Sequence, residues 1–340
     1  MPEDRRSGID SLRTVLIACV VLGHYTPFVA FEGPPYRFLW VAIDQSLRFV
    51  IPCFFVLSGY YFAASLRRGG DPWVVFRRYA RRILAMYGFW NAAYLLIPTE
   101  PGLIARHGYA GAITELFVRT VTDPQRLLFE GFREHLWFLV SLLLSLLVVT
   151  LAETLRWRKT LLALALGLFL AGLCMDAWVD TPLGIPTGFN ARNGPFFGLV
   201  FVVLGGILQR RPRPPSLRVA IALSLPGWAL YLGESLGLQK VFGTYPRHEY
   251  VLSSLLWGPA VAMIALARPD LGRGTWLARL GPLAVGIYLV HLFFVDLAHA
   301  AGREIQHWTF ELAGPVLAFA ASVATVLLMA RWKPLGRFVR

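Results

Sequence analysis

Apolar residues in this chain gather into long runs separated by short polar links. The runs lie near 11–30, 40–62, 80–97, 134–151, 160–179, 194–209, 217–236, 250–267, 280–300 and 309–330. Proline, glycine or charged residues bound each one. A helix needs about 20 apolar residues to cross a bilayer, so the pattern predicts about ten transmembrane helices. Neither the strict alternation of a half-buried strand nor an internal repeat is visible. The longest polar stretch, 98–133, contains Gly108-Tyr-Ala-Gly-Ala-Ile-Thr-Glu-Leu-Phe117, read as an amphipathic interfacial helix.

Composition strengthens this picture. Of 340 residues, 56% are apolar and only 16% charged, against about 25% charged in soluble domains. The mean hydropathy is +0.56. The expected fold is an all-α polytopic transmembrane bundle, one integral membrane domain over 1–340. The start is not expected to be a cleaved signal: Glu3 and Asp4 mix with Arg5 and Arg6, and no small-residue cleavage site follows. Cys19, Cys53 and Cys174 all sit in apolar runs without CxxC spacing, so neither a disulfide framework nor a metal site is expected.

The net charge of +13 has two readings. A basic soluble face would suggest nucleic acid; a basic bias at one set of span ends would record the positive-inside rule. With the N-terminus inside and ten spans alternating, 23 of the 33 Lys and Arg fall on inner segments and 9 on outer ones. Arg48 falls within a span. Both termini are therefore expected in the cytoplasm, with the lipid bilayer as a partner and no nucleic acid.

Several polar residues stand where lipid-soluble helices should have none. Arg13 and His24 are eleven positions apart, about three turns plus 20°, so they share a helix face. The rise of about 16 Å puts Arg13 near the inner interface and His24 at mid-membrane. An ionisable group at that depth is a functional candidate. His291, in Gly286-Ile-Tyr-Leu-Val-His291, is expected at similar depth, with Tyr288 one turn below it on the same face. The alternative for either histidine is a brace between helices.

Arg77, Arg78, Arg81 and Arg82 crowd one side of a helix at the inner interface. Either they set topology and meet lipid headgroups, or they hold a phosphorylated cofactor, since guanidinium forks match phosphate oxygens. Asp44 and Arg48 are spaced to pair, or to wall an acceptor site. Ser58-Gly59 suggests tight helix packing or a close approach to a ligand; Ser58 is a poor hydrolase nucleophile without a strand-turn-helix elbow. Glu134 and His135 are expected at the outer rim with Trp137 in the aromatic belt, as acceptor contacts or simple interfacial caps. Asp296 and His299 are weaker candidates. Glycine-rich phosphate loops, HExxH and GxSxG are absent from the sequence.

Four pieces, in order, resemble the acyltransferase-3 family of integral membrane O-acyltransferases. They are Asp10-x-Leu-Arg13 with His24, Phe54-Phe-Val-Leu-Ser-Gly59, Arg78-x-x-Arg81, and Tyr288-Leu-Val-His291. His135-Leu-Trp-Phe-Leu139 is similar too. The resemblance covers nearly the whole chain, in the stand-alone form without an extracytoplasmic domain. It implies transfer of an acyl group, often acetyl from acetyl-CoA, to a hydroxyl of an envelope carbohydrate or glycolipid, in the inner membrane of a bacterium. His24 then suits the role of base, with His291 and Tyr288 beside it. Arg13, Arg77, Arg78, Arg81, Arg82 and Ser58 would hold the acyl-CoA. Asp44, Arg48, Glu134, His135 and Trp137 would meet the acceptor. No metal is implied. The main rival is a transporter of a small polar or lipid-linked solute, because buried Arg and His also line substrate paths.

Overall fold

The computed structural model describes residues 7–28, 31, 33–69, 71–244, 248–305 and 307–339. Arg5, Arg6, Arg247 and Arg340, counted above for topology, lie outside the described residues. Among those described there is no strand. In chain order the helices are α1 (Ser7–Tyr25), α2 (Pro34–Ser46), α3 (Val50–Arg67), α4 (Pro72–Leu96), α5 (Pro101–Val121), α6 (Trp137–Thr154) and α7 (Arg158–Met175). They continue with α8 (Pro195–Arg210), α9 (Leu217–Phe242), α10 (Ser254–Ala267), α11 (Trp276–Leu280), α12 (Ala284–Ile305), α13 (Trp308–Arg331) and α14 (Lys333–Gly336). A short π-helical turn (Arg126–Glu130) and 3-10 turns at Glu134–Leu136 and Gly281–Leu283 complete the set.

Every predicted apolar run carries a helix. Among the described residues, seven segments are long and apolar enough to cross a membrane: Ser7–Tyr25, Pro35–Arg67, Glu134–Thr154, Arg158–Met175, Leu217–Phe242, Trp276–Ile305 and Trp308–Arg331. Pro195–Arg210 and Ser254–Ala267 are apolar but shorter. The run at 80–97 is the second part of α4, whose first part carries the arginine cluster.

One predicted span is broken. The run at 40–62 divides into α2 and α3, with a turn at 47–49. Pro52 is the reason. It has no N–H to give the carbonyl of residue 48, and its ring would collide with that carbonyl in a continuous helix. In the first turn of a new helix the missing donor costs nothing. The turn carries Arg48, which pairs with Glu249 in the second unit.

The chain forms two compact units: residues 1–47, 85–136 and 272–340, and residues 48–84 and 137–271. In the first, α1 packs on α11, α12 and α13. Ile9, Leu16, Ile17, Val20, Val21 and Tyr25 form its buried stripe, at the spacing of one helix face. Thr14 Oγ1 donates to the Leu277 carbonyl at 2.7 Å, and Gly281 lies directly against the Asp10 backbone. Trp90 Nε1 donates to the Phe338 carbonyl at 3.0 Å, and Phe89 stacks on Phe338. α5 kinks at Gly108, and the part beyond it buries Ala112 and Leu116 with Leu103, backed by Leu95 and Ile104.

The second unit is built on α3 crossing α8. Their backbones touch through glycines: a Cβ at Gly59 would lie 2.0 Å from the Val202 carbonyl oxygen, and one at Gly205 would lie 2.0 Å from that of Val56. Small residues at a crossing let apolar helices approach to van der Waals contact. That accounts for Gly59 as a packing residue. Ser58 beside it is half-buried. Phe55 then packs on Trp137, Phe138 and Phe197.

Gly59→Ala forces the two backbones apart and is expected to destabilise the protein by about 3 kcal/mol, at the upper end for overpacking. Gly88→Ala, on an exposed helical position with nothing within 4 Å, is expected to be neutral or slightly stabilising. Thermal melts of the two variants in detergent check the difference.

Candidate functional site

A row of aromatic and imidazole rings runs through the first unit. His24 comes from the end of α1, His135 from the 3-10 turn Glu134–Leu136, Tyr94 from α4, and Tyr288 and His291 from α12. Ring centroids are 5.0 Å apart for His24 and His291, 5.3 Å for His135 and His291, and 5.4 Å for His135 and Tyr288. Tyr94 meets His135 edge-on at 5.2 Å. His135 and His291 are buried; His24 is half-buried and is the row's more open end.

Hydrogen bonds fix the orientation of these rings. His291 Nδ1 lies 2.5 Å from the Tyr288 carbonyl. A carbonyl only accepts, so Nδ1 carries the proton and Nε2 presents its lone pair. That Nε2 is buried and has no hydrogen-bond partner. Tyr288 Oη donates to the His135 carbonyl, tying α12 to the turn. Neither ring nitrogen of His135 meets hydrogen-bond geometry; the Leu289 carbonyl beside it already accepts from Tyr94 Oη at 2.8 Å. Among the described residues, no three His, Cys, Asp or Glu side chains converge as metal ligands.

Local sequence explains why the turn holds still. Gly131 has φ 67°, a conformation that favours glycine. A Cβ there would also strike the Asn91 side chain at 2.0 Å. Asn91 uses that space: its Oδ1 accepts from the Phe132 N–H at 2.8 Å, while its Nδ2 donates to the Tyr87 carbonyl at 2.9 Å. One side chain of α4 therefore clamps the approach to Arg133 and His135.

Arg133 caps the row. It pairs with Asp296 at 2.7 Å and Glu100 at 3.4 Å, and its guanidinium lies 5.8 Å from the Tyr94 ring centroid. Thr99 donates to Asp296, and Arg119 pairs with Glu100 at 3.0 Å. His299 Nε2 reaches the Tyr25 carbonyl at 2.6 Å, which steadies the end of α1 next to His24. Arg13, three turns earlier, lies 3.6 Å from Asp10.

The other predicted site residues have different settings. Glu134 is exposed, but His135 is 1% exposed and belongs to the ring row. Its buried position follows from Arg133, whose charge is neutralised inside the unit. Trp137 is buried in the second unit, with the Arg192 guanidinium 5.4 Å from its ring centroid. Glu249 bridges Arg192 at 3.0 Å and Arg48 at 3.1 Å. Asp176 Oδ2 and Tyr250 Oη are buried in the same unit without hydrogen-bond partners. Asp44, buried in the first unit, accepts from Gln45 Nε2 at 2.8 Å. Arg77, Arg78, Arg81 and Arg82 are all exposed on α4, opposite buried Val75, Ala80 and Ile83.

Sequence reasoning missed Tyr94, Asn91 and the weight of Arg133. The legible signal was an arginine at the head of one apolar run and an aspartate inside another: charges so placed must find each other.

Among the described residues, seven apolar segments of membrane-spanning length, with buried histidines and paired charges, define a polytopic helical membrane protein. The family model described as an acyltransferase domain, that of acyltransferase-3, matches residues 6–330, and the chain belongs to that family. The chain is also similar to a serine/alanine racemase of Enterococcus gallinarum, 25% identical over 352 residues, covering 97% of this chain and 46% of that protein. An amino-acid racemase of Enterococcus faecalis is 24% identical over 325 residues, covering 89% and 43%. The chain thus spans less than half the length of the curated relatives it matches. No solved structure matches it.

His248 gives the second unit a pH dependence. It is buried, its Nε2 lies 3.2 Å from Thr244 Oγ1, and burial followed by the Arg48 charge lowers its pKa from 6.5 to about 4. A histidine that must stay neutral when folded adds stability above pH 6.5 and loses it as the pH falls toward 4. The full effect is at most about 3 kcal/mol. Melting temperatures between pH 7.5 and 4.5 are expected to fall less steeply for His248→Gln than for the parent.

Proposed function

We propose that this protein transfers an acyl group, acetyl in the first instance, from acyl-CoA to a hydroxyl of an envelope carbohydrate or glycolipid. Membership of the acyltransferase family supports acyl transfer. The observation that carries the mechanism is the adjacency of His24 and His291, 5.0 Å between centroids. The racemase names belong to proteins matched over less than half their length, and racemisation is not carried to this chain.

In this reading the acceptor hydroxyl meets His24, which removes its proton as the oxygen attacks the thioester carbonyl. The C–S bond then breaks, and the proton goes to the departing thiolate. His291 stands behind His24 with its Nε2 lone pair, oriented through Nδ1 by the Tyr288 carbonyl. Tyr288 holds His135 and α12 together and acts by positioning. Acyl-CoA would bring its phosphates to exposed guanidinium groups, for which Arg78 and Arg81, with Arg77 and Arg82 beside them, are the candidates. Arg13 belongs to the same set by sequence. Arg48 and Trp137, linked through Arg192, are candidates for contact with the acceptor. The reading includes ten spans, with α8 and α10 as short ones and α4 as another, both termini in the cytoplasm, and the inner membrane of a bacterium as the location.

His24→Ala is expected to lower transfer from radiolabelled acetyl-CoA to envelope glycolipid by at least about 100-fold, the usual contribution of a general base, with an unchanged melting temperature. Near-parental turnover would remove His24 from this role. The double variant Arg78→Ala with Arg81→Ala is expected to weaken calorimetric binding of acetyl-CoA by at least about tenfold, with binding by the parent falling as salt rises. Equal affinity in the double variant would return these arginines to topology. No binding of any acyl-CoA by a folded parent would favour the transporter.

A further inference from the structure

The second unit has a pocket whose lining includes none of the residues assigned above. Its free volume is about 280 Å³, and it is lined by Ala63, Leu66, Arg67, Glu153, Arg158 and Arg210. It lies where α3, α6 and α8 end and α7 begins. Glu153, with its side chain 2% exposed, gives one carboxylate oxygen to Arg158 and the other to Arg210. Both arginines remain open on their outer sides, with side chains 65% and 39% exposed. Arg67 donates to the Gln209 carbonyl at 3.3 Å. Two guanidinium groups thus share one carboxylate and a third, Arg67, stands on the same lining, which leaves two net positive charges among the lining residues.

We propose that this pocket binds a phosphate group, and that the phosphate belongs to an anionic lipid headgroup. Guanidinium forks pair with phosphate oxygens two at a time. Glu153 holds two of the forks in place from behind, so little order has to be created on binding. The volume lies just under the range for drug-sized ligands, about 300 to 1,000 Å³. That suits a headgroup and is small for a whole coenzyme. Ala63 and Leu66 give the pocket an apolar wall beside its charged one, as a ligand with an acyl chain requires. Leu155 and Trp157, on the link between α6 and α7, are exposed next to Glu153 and Arg158 in the chain, and exposed tryptophan is typical of the headgroup level. The proposal is independent of the acyl-transfer reading.

The test is calorimetry on the full-length protein in uncharged detergent, titrated with dioctanoyl phosphatidylglycerol, dioctanoyl phosphatidylcholine or inorganic phosphate. Phosphatidylglycerol is expected to bind at one saturable site and phosphatidylcholine more weakly, since its choline faces the guanidinium groups. Arg67→Gln leaves both Glu153 pairs intact and is expected to weaken phosphatidylglycerol about tenfold, the loss of one charge-assisted hydrogen bond. Leu66→Trp keeps every charge, fills the space and is expected to remove binding. Melting temperatures establish that each variant is folded; either folded variant alone decides the matter. Inorganic phosphate binding as tightly as the lipid would keep the phosphate site and overturn its lipid source. Absence of saturable binding by lipid and phosphate alike, or parental affinity in a folded variant, would overturn the site.

Discussion

A charge among apolar helices has to be answered by another charge, because the surrounding medium offers no water to solvate it. Four carboxylates, in three groups, organise this chain on that rule. Asp296 and Glu100 answer Arg133 in the first unit. Glu249 joins Arg48 and Arg192 in the second, and Glu153 joins Arg158 and Arg210. Each links segments far apart in sequence, so the electrostatic pairs also fix which helices may neighbour which. Close glycine contacts between α3 and α8 then supply the packing that apolar attraction alone does not give in lipid.

The histidine row depends on the first of these solutions. With Arg133 neutralised, the turn after it can bury His135 against Tyr94 and Tyr288. Its neighbour His291 then lies between His135 and His24. The result is a line of imidazoles from a buried end to a more open one, with one tautomer set by a backbone carbonyl.

Much of this was legible in the chain. The ten apolar runs all contain helix, and the equal depth expected for His24 and His291 agrees with their adjacent rings. Local signals failed where partners are remote. Arg48 has a neighbour spaced to pair with it in Asp44, and nothing near it reveals Glu249, 201 positions on. Arg133 and Glu134 beside His135 read as interfacial residues, and nothing near them reveals Asp296, 163 positions from Arg133. The break between α2 and α3 was hidden because Pro52 sits in an otherwise unbroken apolar run, where proline reads as compatible with a membrane helix. Tyr94 resembles any aromatic on an apolar face until α12 is packed against it.

The clamp formed by Asn91 on the turn at Gly131 has a consequence for variation among sequences. A methyl group at 131 and the carboxamide at 91 compete for one space, so neither position is free to change alone. Through the turn they also set the placement of Arg133 and His135, and through Arg133 the identity of residue 296. Five positions spread over more than 200 residues are therefore coupled through one set of contacts. A chain that loses one of the five is expected to have replaced several, and single exchanges at 91 or 131 should be rarer than their distance from His24 would suggest.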